Sequence, residues 1–436
     1  MNPIHQQHEV VSQPDAGTIP GIVPCDNGKF DVETNESIVG TPTVSTEGPP
    51  PLSTACNLWI FGFYFIFIAI GNVAAYGIGV LVYIRLYSLS LVWAFNAALI
   101  AFTFQTITQV VVGCYCDKIV TSYGRRKPFV IAGNACKAVS LFLLVLPPSQ
   151  EQDVLIGWFC AFLSLFFVGD ALGSNPFDSW MVESTASDED YTRIMSLSSP
   201  IGGLLGQLLG AGLLYTSPVA CGVVFLAGIA LGTWMMVVYI PNVVYRAAPP
   251  LPDLIPSVRI CTQTVEFRKM LVNKVLIGAA IAIFSNIAFF YLMIGFRNVN
   301  DVNGAANWFI IVAGIAAFAG VILMVACNWL FKVWDKLDVY LFQAWAVMLL
   351  SLVCFFVSLD GGDDALYLYI AIAAGMASLA FPIRLMDTLF VRDLVIYDTF
   401  ITGELLLTTI GFGVYIYCAV IYRALLYCIV FYCIVL

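Results

Sequence analysis

Runs of about 20 apolar residues, each long enough to cross a hydrocarbon core as a helix, recur along this chain from near residue 57 to its end. They fall at roughly 57–84, 89–113, 128–147, 153–181, 194–216, 218–240, 272–296, 305–330, 339–358, 365–390 and 404–422, with a shorter run from Arg423 to Leu436. Charged residues make up 11% of the sequence and apolar ones 60%, whereas a typical soluble domain is about 25% charged. No water-soluble core hides that much apolar surface. In lipid a chain must satisfy its own backbone within helices or closed barrels, and runs of this length select helices. The expected fold class is an all-α membrane protein of eleven spans plus a last one that is short or truncated.

The same composition excludes several functions. The net charge is -9 and the acidic residues lie in the tail and loops instead of forming one face, which argues against nucleic acid as a partner. Of the thirteen cysteines, Cys136, Cys160, Cys221, Cys327, Cys354 and Cys418 sit inside apolar runs, where a thiol acts as a small hydrophobe. Cys114 and Cys116 stand close together, but the histidines are confined to His5 and His8, so neither a metal site nor a cofactor is expected. No nucleophile and base set or phosphate-cradling glycine loop stands out, and an enzyme is not expected. The start of the chain lacks a charged segment followed by an apolar one, so no cleaved signal is expected.

Residues 1–54 are rich in Pro, Ser, Thr, Gly, Asp and Glu, and read as a disordered acidic tail. Lys and Arg in short loops mark the cytoplasmic side. They gather after span 2 (Lys118, Arg125, Arg126, Lys127), after span 4 (Arg193), after span 6 (Arg246, Arg259, Arg268, Lys269, Lys274), after span 8 (Lys332, Lys336) and after span 10 (Arg392). The odd-numbered loops hold little beyond Arg85, Arg297 and Arg423, so the charge bias predicts a cytoplasmic N-terminus. Six spans over residues 55–240, a polar linker at 241–271 and a second set over 272–436 predict two helical bundles, an arrangement common where a solute site lies between repeats.

Between spans 2 and 3 the sequence reads G-C-Y-C-D-K-I-V-T-S-Y-G-R-R-K-P-F, with Gly113, Asp117, Gly124, Arg125 and Arg126 at the key places. This resembles the signature loop of the major facilitator superfamily. Its expanded spacing and G-R-R-K-P-F ending are similar to those of the sucrose:proton symporters and the glycoside-pentoside-hexuronide:cation symporters. Two further stretches agree: N-P-F-D-S-W-M-V-E-S-T-A-S-D-E-D-Y-T-R after span 4, which contains Glu183 and ends at Arg193, and R-D-L-V-I-Y-D-T-F-I-T-G-E after span 10, which contains Asp393 and Asp398. The resemblance implies the major facilitator fold of two six-helix bundles, and gating roles for these residues in a latch that biases one conformer. Physically, Asp117 suits the positive end of a helix dipole and Arg125 or Arg126 suits a carboxylate such as Glu183. The simpler alternative is that the arginines only anchor topology. For Asp393 and Asp398 the alternative is that they are solvated loop acids.

An ionisable group in hydrocarbon costs about 2.5–3.5 kcal/mol even on lenient scales, so each needs a partner or a task. Lys137 lies nine residues into span 3, about 13 Å deep at 1.5 Å per residue, and Asp170 is roughly 20 Å from the matching end of antiparallel span 4. A lysine stem covers that offset, which predicts an intramembrane pair. Asp170 is then a candidate protonation site for coupling, a permanent structural ion pair being the alternative. Arg384 and Asp387, three apart on span 10, share a helix face and either neutralise each other or touch solute. Gln105 and Gln109 share a face of span 2. Sodium-coupled glycoside symporters carry acids at the corresponding places, so the resemblance favours H+ as coupling ion.

In this superfamily spans 1, 4, 7 and 10 line the pathway, and here they supply Asn72, Tyr76, Asn175, Ser285, Asn286 and Tyr291. Amides and aromatics suit a polyhydroxylated ring, although helix packing uses the same residues. Asp178 stands where sucrose symporters typically place an arginine. The glycines Gly202, Gly203, Gly206, Gly210 and Gly212 of span 5 predict a close-packing face. The expected function is proton-coupled carriage of a sugar or glycoside across a lipid bilayer. Two alternatives stand beside it: a carrier of another small organic solute, and a non-transporting receptor or scaffold of the same fold.

Overall fold

The computed structural model describes residues 54–116, 119, 121, 123–185, 191, 193–240, 268, 302–330, 333–334, 336–355, 367–372, 374–375 and 378–379. Every regular element among them is helical. Helix α1 spans Thr54–Ile78 and continues through a π-helical stretch, Gly79–Ile84, to a last turn at Arg85–Tyr87. Then come α2 (Leu91–Tyr115), α3 (Lys127–Leu144), α4 (Gln152–Ser184), α5 (Ser199–Thr216, entered through the π-helical turn Ile194–Ser198) and α6 (Pro218–Tyr239). These match the first six expected spans, and six helices among the described residues are long and apolar enough to cross a membrane. In the second half, α7 (Val302–Leu330) and α8 (Lys336–Phe355) match the spans expected at 305–330 and 339–358. The acidic tail, most of the linker, and the spans expected at 272–296 and 404–422 lie outside the described residues.

Local chemistry sets the helix starts. Helices α3, α5 and α6 each carry proline in the first turn, where its missing N–H leaves no bond unmade. The Oγ of Ser217 accepts a hydrogen bond from the Ala220 N–H at 3.3 Å, capping α6. Before α3 the chain turns at Gly124, whose φ of 90° is open to glycine and strained for other residues. That turn is closed by the Gly124 N–H donating to the Thr121 carbonyl at 3.0 Å.

Helix α1 packs on α5 and α6, α3 lies against α4 and α6, α2 lies on α4, and α7 contacts α5. Lipid gives no hydrophobic drive for this, so close approach through small residues has to supply it. A Cβ at Gly202 would lie 2.6 Å from the Gly62 carbonyl oxygen, and one at Gly210 would lie 3.0 Å from the Ile70 Cα; Gly206 abuts the Ile66 carbonyl on the same helix. Among the described residues the expected five-glycine face is a three-glycine face, because none of them lies within 4 Å of a Cβ at Gly203 or Gly212. Those two fall off the 3.6-residue stripe that faces α1.

The bundle is tied at one end by side chains reaching helix termini. Tyr83 donates to the Leu144 carbonyl at 2.9 Å, Trp158 Nε1 donates to the Leu143 carbonyl at 2.8 Å, and the Arg85 guanidinium lies 4.3 Å over the Tyr215 ring. The two hydrogen bonds serve carbonyls of the last turn of α3, which have no partner inside the helix.

Candidate functional site

The inner faces of α2, α3 and α4 meet at one carboxylate. Lys137 Nζ on α3 lies 3.2 Å from Asp170 Oδ1 on α4, and Gln105 Nε2 on α2 donates to Asp170 Oδ2 at 3.1 Å. The lysine side chain is 3% exposed and the aspartate 19%, so the lysine is buried inside the bundle and the aspartate is only partly exposed. Glycines make this possible. A Cβ on Gly133 would fall 2.5 Å from the Gly173 N and 2.6 Å from the Gly169 carbonyl oxygen, so α3 and α4 run backbone to backbone one turn from the pair.

Below the pair, toward the C-terminal end of α4, lies a tier of amides. Asn134 Nδ2 donates to the Tyr64 hydroxyl at 2.8 Å and to Thr233 Oγ1 at 2.9 Å, linking α3 to α1 and α6. Gln109, one turn beyond Gln105, is buried with its Oε1 unpartnered among the described residues. So is Asn175, whose amide O and N both lack a partner. Asn175 precedes Pro176, which has no N–H to complete the helical bond at that turn of α4. Asp178, partly buried, follows one turn later.

Of the loop between α2 and α3, the final stretch Gly124 to Arg126 is buried, whereas Ile119 and Tyr123 are exposed. Gly113 is buried inside α2 and Gly124 makes the turn. Arg125 and Arg126 are both buried, and both are engaged with neighbouring groups. Asp117 and the Glu183 side chain lie outside the described residues, so the expected arginine to Glu183 contact is not placed. Arg193 is exposed just before the π-helical turn that leads into α5.

Of the expected solute contacts on α1, Asn72 is partly buried, and Tyr76 is 52% exposed with its ring stacked on Phe102 and tilted against Phe167. The remaining candidates, Ser285, Asn286, Tyr291, Arg384, Asp387, Asp393 and Asp398, lie outside the described residues. Among the described residues no group of three or more His, Cys, Asp or Glu could hold a metal ion.

Three features of the site escape a reading of the sequence. Asn134 lies three residues before Lys137 and so shares its helix face, a spacing that is the one local signal for the polar tier. Gly169 and Gly173, four apart, carry the small-residue spacing of a close helix contact. Lys127 looks like one more topogenic cation, yet it is buried among α3, α4 and α6.

Six membrane-length apolar helices packed around a buried charge pair agree with what sequence comparison finds. The chain matches the model of the family described as MFS/sugar transport protein over residues 68–434, most of its length. The protein belongs to that family, and is a multi-pass membrane transporter of the major facilitator fold.

Proposed function

We propose that this transporter carries a sugar or glycoside by alternating access, coupled to protons, with Asp170 as the group that takes up the proton. The observation that supports this is the three-helix junction at Asp170, where one carboxylate ties α3 through Lys137 and α2 through Gln105. A buried ion pair costs desolvation that its attraction repays only in part. Protonating the carboxylate removes the charge that Lys137 faces and turns one oxygen from acceptor to donor, so the ties to both helices change together. That is the property a coupling site needs. The amides of Gln105 and Gln109 stand where anionic oxygen would favour sodium, a hard cation.

In the same reading, Gly113, Asp117, Gly124, Arg125, Arg126, Glu183 and Arg193 form the latch of the first half, and Asp393 and Asp398 serve the second. Asn72, Tyr76, Asn175, Asn286, Arg384 and Asp387 offer the hydrogen bonds and ring faces that a polyol needs. Asp178 favours one alternative: a carboxylate where the sucrose branch has arginine suits another small organic solute rich in hydrogen-bond donors.

Uptake of labelled sugars into proteoliposomes, with and without an imposed pH gradient, tests the proposal. Gradient-driven accumulation that disappears in Asp170→Asn, with solute exchange retained, is the expected result. Accumulation indifferent to the gradient would remove the proton, and full accumulation by Asp170→Asn would remove the assigned residue. Uptake of organic solutes other than sugars would replace the solute class.

A further inference from the structure

Lys127 is the first residue of α3 and is 4% exposed. Its ammonium donates to two carbonyls at the end of α6, those of Val237 at 2.9 Å and Ile240 at 2.8 Å, and lies 5.1 Å from the centroid of the Trp180 ring on α4. The last carbonyls of a helix lack partners within it and carry the negative end of its dipole. A cation there is favourable, and an aromatic face adds to it.

Ordinary capping does not require a buried lysine from another helix. A glycine after the last turn would close α6 with its own backbone, and water would serve an exposed end. Helix α6 instead runs into Pro241 and Asn242, and its end is held from outside by the residue that follows the buried Arg125 and Arg126. The Gly124 turn and the proline at position 128 fix where α3 starts, and so fix the root of the Lys127 side chain. The signature loop, the C-terminal part of α4 and the end of α6 thus meet at one ammonium group, and beyond Ile240 begins the connection to the second half.

We propose that Lys127 is a positioning residue of the transport cycle: it clamps the end of α6 to the signature loop and α4, so that these three move as one body when the carrier reorients. The role in the cycle rests on the transport reading above; the clamp itself does not. Lys127 touches no solute in this proposal, so its loss slows reorientation and spares solute affinity.

The test combines Lys127→Met, which keeps the apolar stem, and Lys127→Arg, which keeps the donors, with a cysteine at Ile240, itself buried. Expected for Lys127→Met is several-fold faster labelling of Ile240→Cys by a water-soluble maleimide. Maximal uptake falls about tenfold while the solute Kd stays within about twofold. Lys127→Arg restores both. Unchanged labelling in Lys127→Met would overturn the clamp. Loss of solute binding in parallel with uptake, or failure of Lys127→Arg to rescue, would overturn the positioning role in favour of a purely structural one. A parent protein that carries none of the solutes offered would count against the transport reading, and the labelling result would still decide the clamp.

Discussion

Gln105 and Asp170 join α2 to α4 through the carboxylate oxygen that Lys137 does not use: Gln105 Nε2 reaches Oδ2 at 3.1 Å, while Lys137 Nζ reaches Oδ1 at 3.2 Å. Each oxygen therefore holds one helix. Removing the carboxylate charge in Asp170→Asn leaves the Lys137 ammonium, 3% exposed, without its counter-charge. Breaking a buried pair from one side costs about 3–5 kcal/mol, whereas replacing both partners with uncharged groups costs far less. The double variant Asp170→Asn with Lys137→Met is expected to recover most of the lost thermal stability in detergent. A double variant as unstable as the sum of the two singles would show that the charges are not coupled.

Gln105→Leu isolates the α2 side of the junction. It keeps the volume and the ion pair but removes the donor to Oδ2. A hydrogen bond lost from a partly buried acceptor costs about 1–3 kcal/mol at most, and α2 loses a polar tie to α4. The expected result is a lower unfolding temperature and a smaller maximal uptake, with the ion pair still present. Gln105→Glu sets a second carboxylate against Asp170 and is expected to be worse than leucine, because like charges in a low-dielectric site repel strongly. Equal effects of leucine and glutamate would argue that Gln105 acts by shape alone.

How much of this was legible in the sequence differs by residue, for physical reasons. Apolar length placed α1 to α6 because a hydrocarbon slab admits few solutions. Lys137 and Asp170 stood out because charge within a span is costly and rare. The partner of Asp170 on α2 did not stand out. The sequence shows the position and neutrality of Gln105, but nothing in a single helix says which neighbour an amide will face. Lys127 was hidden for the opposite reason: at the edge of a span a cation satisfies the topology rule, so its burial against α6 left no mark in the local pattern. The glycines of α5 were legible as a set but not one by one, since composition marks a packing helix while only the 3.6-residue phase separates Gly206 from Gly203.

Asn134 tests whether the amide tier is structural. Its Nδ2 serves Tyr64 at 2.8 Å and Thr233 at 2.9 Å, so one side chain connects three helices. Asn134→Leu removes the donor while leaving two hydroxyls buried, and is expected to cost about 1–3 kcal/mol. Adding Tyr64→Phe and Thr233→Val removes the hydroxyls as well and should return much of that stability, because a polar network taken out whole is cheaper than one left half made. Thermal unfolding of the single and triple variants decides it. A triple variant less stable than Asn134→Leu would show that the hydroxyls are held by something other than Asn134.

Gly133 bears on whether helix approach or the charges themselves set the Lys137–Asp170 geometry. A methyl group there meets backbone, the Gly173 N at 2.5 Å and the Gly169 carbonyl oxygen at 2.6 Å, and backbone cannot rotate away as a side chain can. Gly133→Ala must therefore push α3 and α4 apart, an overpacking cost of about 1–3 kcal/mol. Because Lys137 lies one turn further along α3 and Asp170 follows Gly169 directly, the added separation acts on the pair. The expected outcome is lower stability together with weaker gradient-driven uptake. Gly203→Ala serves as control: its Cβ meets no atom of the described residues within 4 Å, and alanine favours a helix over glycine by about 1 kcal/mol, so it should be neutral or slightly stabilising. Uptake in Gly133→Ala that matches Gly203→Ala would mean that the lysine stem absorbs the shift, and that electrostatics, not helix spacing, fixes the pair.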